Sequence, residues 1–349
     1  MDIQQAIYAF SVEGKPVACQ CFGAGHINQT YLVTTDKNCR YILQYINNFV
    51  FKDPVALMEN AAGVTDFIRA RGGKALHFLR TADGKAVHVD EEGRYWRVYE
   101  FVEGLCLQAA ETADDFYQSG LAFGQFQNEL LEYPAETLAE TIPNFHNTPA
   151  RFAQLKEAIA KNASGRLDSC KAEVEGYLAL EAEGCKLASL GLPLRVTHND
   201  TKLNTVLLNE TTHAPLCVLD LDTVMPGLAA YDFGDSIRFG AATAAEDEKD
   251  VSKMHLDMGL FEAFARGFLQ GAAALTKAEV ESLPLGAFTM TLECGSRFLA
   301  DYLNGDTYFR TAYPEHNLVR CRTQLALARD MLAHMADMQA VIAKLTMDN

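Results

Sequence analysis

The sequence predicts an α+β fold, with a small antiparallel β-rich lobe over residues 1–102 and a larger, mainly helical lobe over 103–349. Three observations predict it. The first hundred residues alternate short apolar strand patterns with Gly and Asp turns. After Gly104 the apolar spacing changes to the three and four of a helix. Two short strand patterns, 205–209 and 216–221, then interrupt the helical half beside a knot of polar residues. Two such lobes imply a cleft that would hold the ligand.

The elements follow in order. "VACQCF" (17–22) reads as a strand and runs into the Gly-rich "GAGHINQT" (23–30). "YLVTTDKNCRYILQYI" gives two strands joined by a turn at Thr35 to Asn38. Residues 54–70 read as a helix, opened by Pro54, with Val55, Met58, Ala62 and Phe67 or Ile68 returning at helical spacing. "HFLRTADGKAVHVDEEGRYWRVYEFV" supplies three strand-like pieces, divided at Asp83-Gly84 and Glu92-Gly93. The expected sum is a five-stranded antiparallel sheet with one helix. Helices are then expected over 113–131, 149–162, 168–190, 256–274, 277–303 and 315–345. The run "AAEDEKD" (244–250) reads as a solvated acidic loop, and Met331, Met335 and Met338 as helical core packing.

Composition narrows the function. A net charge of -16 argues against nucleic acid or an anionic membrane as partner, because phosphate surfaces select basic patches. It leaves room for a phosphate ligand in a locally positive or metal-bridged site. The nine cysteines show no C-x-x-C pair, and Cys19-x-Cys21 has no second pair to complete a zinc site. Reduced thiols in a cytoplasmic protein are expected. The N-terminus lacks the basic and apolar pattern of a signal peptide, and no stretch approaches the roughly 18 apolar residues of a spanning helix. A monomer or weak dimer is expected.

The chemistry concentrates in "VTHNDTKLNTVLL" (196–208) and, further on, "CVLDLDTVMPG". An apolar strand delivers Asp220 to its end, with Asp222 two residues later. Carboxylates in such places are costly to leave unpaired, and a hard divalent cation such as Mg²⁺ is a common partner. Asp200 suits a base that accepts a hydroxyl proton. Either residue taken alone also fits a simple turn cap. The spacing of the pair, with a Gly-rich hairpin far upstream, favours chemistry.

These motifs resemble the phosphotransfer core of protein-kinase-like enzymes, which implies a bilobal protein-kinase-like fold. "HND" at 198–200 resembles the aminoglycoside phosphotransferase and choline kinase branch. "HNDTKLN", "LDLDTVMPG", "YDFGDSIRFGA" and "YPEHNLVR" together resemble the N-acetylhexosamine 1-kinases. The resemblance implies ATP and Mg²⁺ as cofactors and a small-molecule sugar as substrate, phosphorylated at its anomeric hydroxyl. It implies that Asp200 is the base and Asp220 the metal carboxylate. Gly23, Gly25, His26 and Asn28 would cover the triphosphate, and Glu100, Phe101 and Val102 would form the adenine hinge. Asp232 would brace the catalytic loop and His198 would buttress it.

Two positions depart from the pattern. The metal-binding Asn of this superfamily lies five residues after the base, where Thr205 stands, with Asn204 one residue earlier. Thr205, Asn204 or water would fill that role. The strand lysine that touches the phosphates is replaced by Gln44, which donates a hydrogen bond without charge. Glu59 would then lack its usual partner, and Arg40 is a second candidate for the phosphates. For the acceptor, Arg297, Asp301 and Asn304 share a helix face. That face reads either as exposed salt bridges or, with Tyr302 and more weakly Arg238, as sugar ligands. Tyr308, Phe309 and Tyr313 either wall the pocket or pack. The remaining histidines, His146 among them, read as surface or core residues. The alternatives are a kinase of choline, an amino alcohol, homoserine or an aminoglycoside, and a kinase-like protein that binds nucleotide or sugar and turns over poorly.

Overall fold

The computed structural model describes residues 6–23 and 27–347, in two compact units. The expected Gly25 and His26 contacts therefore lie outside the described residues. The first unit comprises residues 1–106, 132–143 and 206–226. Its sheet has five antiparallel strands in the order β1-β2-β3-β5-β4. They are β1 (Pro16–Cys21), β2 (Gln29–Thr35), β3 (Arg40–Ile46), β4 (His88–Val89) and β5 (Tyr95–Glu100). The turn from β2 to β3 carries Asn38 at φ 60°, a conformation in which Asn is well tolerated. Of the three pieces expected over 77–102, two form strands; the segment from Phe78 to Thr81 makes only isolated bridges, Phe78 to Tyr99 and Thr81 to Phe10.

Strand alternation sends two sets of side chains to opposite faces. One face buries Val33, Tyr41, Leu43, Trp96 and Val98 with Ile7 and Phe10. The other carries Gln44 directly opposite Arg97. That face meets α1 (Pro54–Ala70), where the Arg97 guanidinium lies 3.5 Å from Met58 Sδ. Asp53 caps α1 by accepting from Ala56 N–H, and Pro54 takes the first helical turn, where no N–H is needed. The unit also holds a two-stranded hairpin, Val206–Leu208 with Pro215–Val218, which leads into a 3₁₀ turn at Leu221–Thr223.

The second unit comprises residues 107–131, 144–205 and 227–349. Its helices are α2 (Ala113–Glu129), α3 (Thr148–Lys161), α4 (Lys171–Gly184), α5 (Ala229–Gly240), α6 (Met258–Gly271), α7 (Lys277–Asn304), α8 (His316–Ala333) and α9 (Met335–Met347). One short strand, β6 (Arg195–Thr197), precedes the polar knot. The long α7 is the hub against which α3, α4, α5, α8 and α9 pack. Phe233 of α5 meets Phe261, Phe264 and Phe268 of α6 edge-on, within the core.

Three expectations change. Helix α5 lies outside the expected helices; its twelve residues hold two Gly and two Asp, which favour a helix weakly. The expected helix 315–345 is two helices, broken at His334. The expected 168–190 is the shorter α4 flanked by 3₁₀ turns. Met331 and Met338 are fully buried, as their spacing predicts.

Candidate active site

In the second unit, β6 ends at Thr197 and the chain turns sharply through His198, Asn199 and Asp200. His198 is fully buried, its ring edge-on to Phe123 and Phe126 of α2. Asn199 sits in the left-handed region at φ 66°. Asp232, fully buried near the start of α5, holds this turn by accepting from the N–H groups of His198 (2.9 Å) and Asn199 (2.8 Å). Gln127 of α2 donates to the same carboxylate at 2.6 Å. Burial raises the Asp232 pKa, against these bonds and the neighbouring His198. Thr201 ties the other side, donating from its hydroxyl to Asp232 O (2.6 Å) and from its N–H to Asp235 (3.1 Å).

This frame leaves the Asp200 side chain 32% exposed, with Lys202 Nζ 2.7 Å away. Burial opposes the Lys202 charge, but Asp200 and Asp235 outweigh it and raise its pKa. The Thr205 hydroxyl donates inward to Lys202 O at 2.8 Å, and the Asn204 amide reaches Gln108 at 3.3 Å. Asn199 is held from behind as well. His146 Nε2 lies 3.0 Å from Asn199 O, and His146 Nδ1 lies 2.9 Å from the buried Glu293 of α7. Burial raises the Glu293 pKa, yet its bonds to His146 and Thr148 and the charge of Arg297 bring it below the usual carboxylate range.

In the first unit, Asp220 closes the hairpin in the left-handed region at φ 55°, and its side chain is exposed. Asp222 turns inward. It is 3% exposed, ion-paired with Arg97 of β5, and accepts from Asn28 Nδ2 at 2.5 Å. Arg97 also donates to Gln44 Oε1 (2.8 Å), and Gln44 donates to Thr30 (2.9 Å). Asn60 of α1 anchors the same turn, donating to Val224 O (2.9 Å) and Ala139 O (2.8 Å). Glu59, beside it, faces solvent.

Residues 19–280 match the phosphotransferase enzyme family. The chain belongs to that family. Solved structures with similar folds include a microcompartment-associated aminopropanol kinase, 16% identical with a TM-score of 0.66 over 96% of this chain and 97% of that one. The amicoumacin kinase hAmiN with AMP-PNP, Ca²⁺ and Ami is 14% identical, with a TM-score of 0.65 over 93% of this chain and 92% of that one. The Plasmodium vivax ethanolamine kinase is 13% identical, with a TM-score of 0.57 over 87% of this chain and 80% of that one. The antiparallel β-rich first part and helical second part give the chain the kinase-like fold of these structures.

Within this phosphotransferase the expected residues divide. Asp200 presents its side chain beside Lys202, and Asp220 lies exposed at its turn. Glu100 and Phe101 use their N–H groups in bonds to His77 O and Arg40 O. Asp301 is 5% exposed, and its carboxylate accepts from the N–H groups of Thr307, Tyr308 and Phe309 and from Asn317, so it shapes the 305–309 loop. Tyr302 is buried, with its hydroxyl 3.0 Å from Ser169. Arg238 is buried between Asp235 and Glu246. Arg297 has aromatic surroundings instead, with its guanidinium over Phe145 (5.2 Å), Tyr308 (5.7 Å) and Phe309 (5.5 Å).

The sequence reading missed Arg97, Asn60, His146 and Glu293. An Arg within the apolar alternation "YWRVY" was the one available signal. Among the described residues no three His, Cys, Asp or Glu side chains cluster as a metal site. An exposed Asp220 still fits Mg²⁺, which is held by one or two carboxylates with substrate phosphates and water.

Proposed function

We propose that this phosphotransferase moves the γ-phosphoryl group of ATP to the anomeric hydroxyl of an N-acetylhexosamine. Asp200 orients that hydroxyl and takes its proton. Lys202, paired with that carboxylate, adds positive charge where the phosphoryl charge develops. Asp220 holds the magnesium ion, which supplies charge neutralisation on the phosphates when bound. Gly23 and Asn28 flank the triphosphate, and Val102 offers the hinge N–H to adenine. Positioning and electrostatics do the work, since the transition state is loose.

The observation that carries the sugar reading is the caged Arg297. Its three aromatic neighbours already hold a cation, and Arg151 is close enough that, after burial, the Arg297 charge lowers its pKa. Asp301, the nearest expected carboxylate, is committed to the loop. A quaternary or primary ammonium would meet like charge here, whereas a neutral acetamido sugar gains guanidinium hydrogen bonds and a ring face. The second reading, an amino alcohol acceptor, is favoured by the likeness to the aminopropanol and ethanolamine kinases.

The test is ADP release with Mg-ATP against GlcNAc, GalNAc, glucose, galactose, ethanolamine, choline, homoserine and kanamycin, with phosphorus NMR of the product. An anomeric phosphate on an acetamido sugar is expected. Turnover confined to amino alcohols or kanamycin would overturn the acceptor and keep the Asp200 chemistry. Asp200→Asn should lower kcat at least about 1,000-fold while nucleotide still binds.

A further inference from the structure

The residue ahead of the base is gripped on both sides. Asp232 takes the Asn199 N–H, and His146 Nε2 meets the Asn199 carbonyl at 3.0 Å. A carbonyl only accepts, so Nε2 carries a proton. On the other side of the ring, Nδ1 faces Glu293 Oε1 at 2.9 Å, and the second Glu293 oxygen accepts from Thr148 Oγ1 at 2.6 Å. This dyad is buried, the imidazole 7% and the carboxylate 1% exposed.

The neighbours of the dyad give it a second connection. The His146 ring packs on Phe145 (4.4 Å between centroids) and near Tyr231 (5.5 Å). Phe145 is the ring beneath Arg297, and its carbonyl accepts from Arg151. Glu293 and Arg297 lie one turn apart on the same face of α7. One residue thus links the proposed acceptor wall to the catalytic loop.

We propose that His146, seated on Glu293, is a positioning residue that fixes the Asn199–Asp200 peptide and couples the Phe145–Arg297 wall to it. A left-handed Asn costs little by itself; its side chain donates to Thr197 O at 3.3 Å, and the other edge of the 199–200 peptide, the Asp200 N–H, donates to His198 Nδ1 at 3.3 Å, so the carbonyl edge is the one His146 holds. The hydrogen bond from His146 sets the direction of that carbonyl, and with it the angle at which Asp200 leaves the turn. The proposal rests on the reading of Asp200 as the base, so its test includes a readout that needs no turnover.

Full-length His146→Ala, His146→Gln and Glu293→Gln would be compared with the wild type. Gln can place an amide N–H near the Nε2 position. The measurements are kcat and KM with Mg-ATP and N-acetylglucosamine, backbone amide NMR signals at Asn199 and Asp200, and Tm. His146→Ala is expected to lower kcat about 10- to 100-fold. KM for ATP should stay within about threefold, and the Asn199 and Asp200 amides should shift. His146→Gln should recover most of both effects. Unchanged amide signals and kcat in His146→Ala would overturn the proposal. So would a Gln variant no better than Ala at a wild-type Tm. If Ala unfolds the chain, the Gln and Glu293→Gln variants decide by the same amide signals. An active Asp200→Asn would remove the base reading alone, since the amide response does not depend on it.

Discussion

At the residue scale, Arg97 supplies a buried positive charge beside Gln44 on this sheet. The positive charge stands one strand over, directly opposite Gln44, and hydrogen-bonds to it. Its carboxylate partner is Asp222 of the 3₁₀ turn Leu221–Thr223, whereas Glu59 on α1 faces solvent. Burial opposes the guanidinium charge, and Asp222 more than offsets it. Because both groups are about 3% exposed, the single variant Arg97→Met would leave a buried carboxylate without its ion-pair partner. It should cost about 3 to 5 kcal/mol in denaturant unfolding. Adding Asp222→Asn should return at least about half of that. Equal losses in the single and double variants would show that Asp222 does not depend on Arg97.

At the element scale, α2 and α6 cross so closely that glycines line the contact. A Cβ on Gly120 would fall 2.3 Å from Phe264 O, and one on Gly267 would fall 2.1 Å from Tyr117 O. Gly124 and Gly271 repeat the pattern one turn on. The crossing sets α2, whose Phe123, Phe126 and Gln127 surround His198 and Asp232. Helix propensity alone would make Gly267→Ala stabilising by about 1 kcal/mol. The backbone clash reverses the sign, and a net loss of about 1 to 3 kcal/mol is expected. Thermal unfolding checks this, and a raised Tm would contradict the close crossing. Asn60 acts in the same way within the first unit, bolting α1 to Val224 and Ala139 through their main-chain carbonyls.

At the scale of the whole molecule, none of the nine cysteines is in a disulfide. Cys21 is exposed on β1, whereas Cys170, Cys217 and Cys321 are buried. Burial pushes the Cys170 thiol up to about 11 and Cys217 up to about 12. Thiolate fraction and access together set reactivity. A disulfide reagent at pH 8 should therefore label Cys21 quickly and the three buried thiols only on unfolding. All nine should titrate in denaturant without reductant. A shortfall of two would reveal a disulfide and contradict the arrangement found here. No described helix is long and apolar enough to cross a membrane.

The sequence by itself determined the five-stranded sheet and the helical second part, and it singled out Asp200, Asp220 and Asp232 as candidates. Each of these rests on local pattern. Strands show a period of two and helices one of three to four, and the phosphotransfer motifs are contiguous strings. Helix α5 escaped because its glycines, read locally, oppose a helix. In the fold they let it approach α7, where a Cβ on Gly234 would strike Gly286 O at 2.3 Å. The ion pair of Arg97 and Asp222, 125 residues apart in sequence, and the dyad of His146 and Glu293, 147 apart, were decided only by tertiary structure. So were the commitments of Asp301, Tyr302 and Arg238 to internal bonds. The reason is physical: a side chain's type states what it can bind, but burial and the partner brought to it across the chain decide which bond it makes.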